Sequence, residues 1–216
     1  MAKWYPQSKV EIQGFTAKHY DTIMNIISLG FYARFMGNAL SKLEINEGDS
    51  ILDLGCGTGR NACLMRKYLH EKGFILGLDA ADEMGKQFVK KCKYFTNVAF
   101  KNQRIDQPFS LANKFDKVFM SFVLHGFPHA IREIIITNAY ENLKPGGTFW
   151  ILDYNEFSLL DMTFYYRIPF LAIECPYAFD FIERDWKKIL KKSGFNNFIE
   201  TLYLKSYIRL LASKKV

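Results

Sequence analysis

The sequence predicts an α/β fold: a doubly wound, mostly parallel seven-stranded sheet ending in a C-terminal antiparallel hairpin, with helical N-terminal and inserted lids. Three observations predict it. Short apolar runs alternate with longer amphipathic stretches between Ser50 and Asp153, which places parallel strands under helices on both faces, joined by right-handed crossovers. A turn with glycine at alternate positions, Gly55-Cys56-Gly57-Thr58-Gly59, follows the first run directly. Two strand-like runs, Phe198 to Leu204 and Tyr207 to Ala212, lie close enough together at the C-terminal end to form a hairpin. The 216 residues fit one domain, 1–216.

Each element follows from local pattern. From Val10 to Glu44 apolar residues recur at three- and four-residue intervals, so residues 1–45 read as a helical cover. Ser50 to Leu54 is the first strand, and Arg60 to Lys72 reads as the helix after the glycine turn. Phe74 to Asp79 is a short apolar run ending in an acid, as a buried parallel strand should be. A helix over Asp82 to Tyr94, a strand over Asn97 to Lys101 and a strand over Phe115 to Ser121 come next. Pro128 opens a helix that runs to Leu143, Lys144 to Gly147 is a turn, and Thr148 to Asp153 is the fifth strand. Residues 154–182 form an inserted lid dense in aromatic side chains, among them Phe157, Phe164, Tyr165, Tyr166, Phe170 and Phe181. Asp161, Arg167 and Glu174 interrupt it. Overhanging the ligand crevice, such an aromatic wall suits an apolar or planar substrate. Glu183 to Lys192 reads as the last helix.

Composition narrows the function. The chain is 49% hydrophobic, which is globular, and no apolar run approaches the roughly twenty residues that span a bilayer. The first residues, Met1-Ala2-Lys3-Trp4-Tyr5-Pro6, lack the apolar core of a leader, so the expected location is the cytoplasm. Four cysteines without a C-x-x-C pair indicate neither a metal site nor a disulfide framework. The net charge of +7 admits an anionic partner, either nucleic acid or a membrane surface. Its lysines, such as Lys86, Lys90 and Lys91 or Lys187, Lys188 and Lys191, are spread along expected helices and read as solvated faces, which disfavours nucleic acid.

The glycine turn carries the chemistry. Glycines let the backbone turn sharply and let a ligand approach it, and the helix behind offers free N–H groups at the same place. Gly57 to Ala62 formally satisfies the dinucleotide pattern G-x-G-x-x-G/A, with Asp79 as a ribose-binding acid. Asp53 argues otherwise. A carboxylate at the strand tip would repel a pyrophosphate, but it suits a ligand carrying an ammonium and a sulfonium, such as S-adenosylmethionine. In a Rossmann-like sheet of this kind ligands bind beyond the carboxyl ends of the strands, which gathers Asp53, Asp79, Gln103, Ser121, His125 and Asp153 around one crevice.

Leu52-Asp53-Leu54-Gly55-Cys56-Gly57-Thr58-Gly59 resembles the first motif of class I S-adenosylmethionine-dependent methyltransferases. The whole ordering resembles the ubiquinone/menaquinone-biosynthesis C-methyltransferase family, through Tyr20-Asp21, Met24-Asn25 and Ser28-Leu29-Gly30, the later strands, and the Leu143-Lys144-Pro145-Gly146-Gly147 turn. The resemblance implies S-adenosyl-L-methionine as cofactor, held by Asp53, Gly55, Cys56, Gly57, Gly59, Asp79, Ala80, Gln103, Arg104 and Ser121. Two departures bear on the acceptor. Gln103-Arg104 stands where the family has Asp or Asn followed by Ala at the adenine, and Val123-Leu124-His125-Gly126 replaces a Gly-Leu-Arg-Asn loop facing the methyl.

The expected activity is methyl transfer, by in-line displacement, to a small apolar or aromatic acceptor: a quinol, phenol, thiol or lipid amine. Positioning is the protein's main task. If the acceptor must lose a proton, His125 is the first candidate base, with Tyr20 and Asp153 behind it. An RNA acceptor and a non-catalytic cofactor-binding partner protein are the alternatives. The reading leaves room for a homodimer and for peripheral membrane contact that would reach a lipid-soluble substrate.

Overall fold

The computed structural model describes residues 4–8 and 31–216. The expected N-terminal cover is therefore described only in part, and Tyr20 with the motifs around it lies outside the described residues. Helix α1 (Phe31–Leu40) belongs to that cover and buries Met36, Ala39 and Leu40.

Five strands run parallel: β1 (Ser50–Leu54), β2 (Phe74–Asp79), β3 (Val98–Asn102), β4 (Phe115–Ser121) and β5 (Leu143–Tyr154). Two more, β6 (Phe195–Tyr203) and β7 (Ile208–Lys215), make the antiparallel hairpin, which joins the sheet through β7 against β5. The order is β3-β2-β1-β4-β5-β7-β6, as expected of a doubly wound sheet with a reversed final strand. Strand β1 has β2 on one side and β4 on the other, so the switch of winding direction falls beside it and opens a crevice at the carboxyl ends there.

Side-chain alternation divides the interior into two cores. Ile51, Phe119, Trp150 and Leu152 pack with α1, α2 (Arg60–Met65) and α3 (Asp82–Cys92). Leu52, Leu54, Met120 and Ile151 pack on the opposite face with α4 (His129–Asn142), α5 (Phe164–Ile173), α6 (Pro176–Ile182) and α7 (Trp186–Lys192).

Several element ends differ from expectation, each for a local reason. The helix after the glycine turn gives way at Arg66–Tyr68 to a 3-10 turn, because His70 N–H donates to Glu47 O (2.9 Å) and draws the chain out toward β2. The Lys-Pro-Gly-Gly segment lies within β5 as an irregularity, with the pairing jumping from Phe115↔Leu143 to Lys117↔Thr148. The last helix begins at Trp186 because Asp185 caps it, accepting Lys188 N–H at 2.9 Å. The irregular stretch between β3 and β4 is held by two buried asparagines of α4. Asn138 Nδ2 donates to Ile105 O (2.9 Å) and Gln107 O (2.8 Å), and Asn142 Oδ1 accepts Leu111 N–H at 2.8 Å. Within the inserted segment Phe170, Cys175, Ala178, Phe181 and Ile182 are buried, so part of the aromatic wall is core. Phe157, Tyr166, Tyr177 and Phe179 pack half-buried against that core, while Phe164 and Tyr165 are exposed.

Candidate active site

The glycine turn closes over the end of β2. Gly55 and Cys56 N–H both donate to Leu78 O, at 2.8 and 3.0 Å, which ties the turn to the neighbouring strand. Gly59 takes φ +78°, a conformation costly for a residue with a Cβ, and a Cβ there would also stand 2.7 Å from the Phe88 ring. Both constraints require glycine and hold the main chain close to the crevice.

Two acids meet at this mouth. Asp79 Oδ2 accepts Gly57 N–H and Oδ1 accepts Ala81 N–H, both at 2.9 Å, so backbone donors brace the carboxylate between the turn and α3. Burial raises its pKa, and those bonds oppose the rise. Asp53 is only 1% exposed, yet its Oδ2 has no hydrogen-bond partner among the described residues. Burial first and the Asp79 charge second push its pKa up to about 8. A buried carboxylate without a partner is costly unless a cation or donor meets it. Nearby, Asn61 in the first turn of α2 donates from Nδ2 to Ser121 Oγ (2.8 Å), leaving its own Oδ1 buried and unpartnered. Two open acceptors therefore point to a ligand with a cationic donor, and the glycine turn leaves room for it. The residues present fit S-adenosylmethionine.

Comparison with known proteins agrees. Residues 45–196 match the family model for a methyltransferase domain. The chain belongs to the methyltransferase-domain family. It is 26% identical over 137 residues to demethylmenaquinone methyltransferase of Listeria welshimeri, covering 62% of this chain and 57% of that protein. It is 30% identical over 143 residues to a chloroplastic 2-phytyl-1,4-beta-naphthoquinone methyltransferase of Arabidopsis thaliana, covering 63% and 54%. The chain thus spans a little over half the length of these curated relatives. In fold it is similar to a SAM-dependent methyltransferase from Aquifex aeolicus, with TM-score 0.63 and 20% identity over 84% of this chain and 89% of that one. Each of these relatives and neighbours is named as a methyltransferase.

Of the other residues expected at the cofactor, Cys56 is buried and Ala80 half-buried beside Asp79, while Ser121 holds Asn61. Gln103 N–H donates to Asp79 O at 3.0 Å, and its Nε2 donates to Arg104 O at 3.1 Å. Arg104 is committed elsewhere. Its Nε and Nη2 donate to Asp106 at 3.0 and 2.5 Å, and its guanidinium lies 4.1 Å from the centre of the Trp4 ring. Tyr5 also donates to Asp106, at 2.8 Å, and meets Phe127 edge-on, so residues 4 and 5 strap across this side of the site. Burial and Asp106 push the Tyr5 phenol up to about 12.

His125 and Asp153 do not share a face with Asp53. Asp53 is in register with Phe119 and Phe119 with Trp150, whereas Asp153, three residues beyond Trp150, lines the other core beside Ile151 and Leu211. His125 Nδ1 lies 2.7 Å from Asp153 Oδ1, and its Nε2 lies 3.5 Å from Glu174 Oε2. Tyr154 donates to Glu174 Oε1 at 2.7 Å and stands edge-on to the imidazole. Burial alone would lower the His125 pKa, but the two carboxylates outweigh it and the net direction is up. Both ring nitrogens therefore face acids. Below the ring, the fully buried Arg132 donates from Nε to Leu124 O (3.2 Å) and from Nη2 to His125 O (3.2 Å), and pairs with Asp180 at 2.6 Å. This network fixes the loop after β4 and pins the inserted segment to it.

Tyr154 packs against both cores, and toward the Asp53 face it joins Phe35, Phe122 and Tyr203 in a chain of ring contacts 5.1 to 6.3 Å apart. The Tyr203 hydroxyl is buried and has no partner among the described residues. Sequence reasoning missed Asn61, Arg132 and Tyr203. Asn61 had a signal, a polar side chain in the first turn after the glycines. Glu174 also had one, as the sole acid between Met162 and Phe179. Arg132 and Tyr203 had none.

Proposed function

We propose that the chain transfers a methyl group from S-adenosylmethionine to a small, apolar, ring-bearing acceptor. The bound cofactor supplies the electrophile, a methyl on a sulfonium. The unpartnered, buried Asp53 carboxylate carries this reading. With Asn61 Oδ1 it offers acceptors to a cationic ligand, and Asp79, braced by Gly57 and Ala81, presents its remaining lone pairs to a sugar. The acceptor reading rests on the rings of Phe35, Phe122, Tyr154 and Tyr203, which form a chain toward the Asp53 face. Tyr203 contributes a dry hydroxyl that would hydrogen-bond an oxygen or nitrogen of the acceptor. Catalysis by positioning is sufficient, since orientation alone supplies about 7–11 kcal/mol. His125 and Asp153 act as positioning residues in this reading, because the imidazole is enclosed by Asp153 and Glu174. The relatives named for demethylmenaquinone and phytyl-naphthoquinone support a quinol-like acceptor.

A lipid-soluble acceptor also gives a use to α5, whose Phe164, Ile168 and Leu171 recur on one side and are 64, 62 and 50% exposed. We assign that face to a membrane surface; no described helix is long and apolar enough to cross a membrane.

Calorimetric titration with S-adenosylmethionine and with NAD tests the cofactor, and NAD binding alone would overturn the reading. Labelled methyl incorporation into a lipid extract, a panel of quinols and phenols, and bulk RNA tests the acceptor. Incorporation into RNA alone would replace it. Co-sedimentation with anionic vesicles, lost in Ile168→Glu, tests α5; a vesicle-independent dimer disrupted by the same change would assign the face to a second copy.

A further inference from the structure

Three of the four cysteines gather on the Asp53 face, around the glycine turn. Cys56 stands over Gly77, while Cys63 in α2 and Cys92 at the end of α3 bring their sulfurs within 2.9 Å of each other. That is closer than unbonded sulfurs rest, and about 0.9 Å longer than a disulfide bond. Cys92 Sγ also faces the carbonyl of Gly59 at 3.9 Å, so the pair sits directly behind the cofactor turn. The two thiols differ in access: Cys92 is 3% exposed and Cys63 is half-buried. The Cys63 sulfur and burial push the Cys92 thiol up, and the nearby Lys91 charge opposes the rise only in part, so Cys92 rests as a thiol.

We propose that Cys63 and Cys92 are an oxidation site, at which a two-electron oxidant such as hydrogen peroxide closes a disulfide that ties α2 to α3 behind the glycine turn. The sulfur of Cys63, the less buried residue of the pair, attacks the peroxide, the O–O bond breaks, and a sulfenic acid and one water form. Cys92 sulfur then attacks the sulfenic sulfur. The S–S bond forms as the S–O bond breaks, and the departing hydroxide takes the Cys92 proton as a second water. Two thiols lose two hydrogens and two electrons, and the peroxide is reduced to water. The closed loop encloses β2 and Asp79, so the tether restrains the carboxylate and the turn together. Cross-linking narrows the unfolded ensemble, which raises the melting temperature of the protein whether or not the cofactor is present.

The test uses the reduced full chain, treated with hydrogen peroxide, denatured, alkylated and analysed by mass spectrometry. The expected result is loss of two hydrogen atoms and a peptide pair joined through Cys63 and Cys92, with Cys56 and Cys175 still alkylated. Dithiothreitol should restore both thiols, and oxidised protein should melt at a higher temperature than reduced protein. In Cys63→Ser the linked peptide and the melting shift should both vanish. If that variant does not fold, the linked peptide and its reversal in the unchanged chain decide the matter. Cys63 trapped as sulfinic or sulfonic acid beside an alkylated Cys92, or a link to Cys56 or to another chain, would overturn the proposal. A linked pair with an unchanged melting temperature would overturn the tether.

Discussion

Asp53 and Asp153 lie at the ends of strands in one sheet, and each is 1% exposed. Their surroundings differ. Asp153 is satisfied from three directions: His125 Nδ1 at 2.7 Å, Tyr154 N–H at 2.8 Å and His125 N–H at 3.2 Å. Asp53 keeps an oxygen with no partner and the charge of Asp79 against it. Burial is therefore no guide to function here. A buried acid whose bonds are all made internally fixes a loop, while one left open is complete only when a ligand arrives.

The largest effect expected from this contrast is on stability at Asp153. His125→Ala leaves that carboxylate buried without its counter-charge, which should cost about 3–5 kcal/mol by urea unfolding. Affinity for S-adenosylmethionine should stay within a few-fold, and a much larger loss would place His125 in the cofactor site. The pH dependence has a definite sign. The folded-state pKa of His125 is raised, so its contribution is complete below the unfolded value near 6.5 and is lost as pH rises through the folded value. The variant should lack that alkaline loss.

Asp53→Asn should behave in the opposite way. Loss of a charged partner should weaken S-adenosylmethionine binding about ten- to hundredfold, as expected for a hydrogen bond to a charged group. The ligand-free protein should become more stable. Its folded pKa near 8 lies above the unfolded carboxylate value, so wild-type stability falls as pH rises from about 4 to about 8, and the amide removes that loss. Thermal melts across this range, with calorimetry at each pH, measure both. A variant less stable than wild type at pH 8 would break the comparison.

Gly59→Ala should cost about 1–3 kcal/mol through its positive φ and should also weaken cofactor binding. Smallest is Lys144→Ala, which removes an exposed ion pair to Asp116 away from both acids and should change stability by less than about 1 kcal/mol.

Much of the candidate cofactor site was legible in the sequence as a local geometry. The run from Ile51 to Gly59 and the run ending at Asp79 are contiguous patterns, and each places its candidate side chain by strand alternation and chain reversal alone. The opposite core and the ring-lined side of the site were legible only in outline. His125, Asp153 and Glu174 could each be noticed, but their meeting depends on the inserted segment folding back over the β4–α4 loop, across separations that no local pattern records. Tyr203 reaches the Asp53 face only because β6 pairs outside β7.

By itself, then, the sequence determined the sheet, the glycine turn and the charge at its mouth, because these follow from short-range periodicity and backbone sterics. Tertiary structure alone decided which buried acid stays open. That outcome depends on every donor the fold brings within reach: His125 from the next loop closed one carboxylate, and no described residue closed the other.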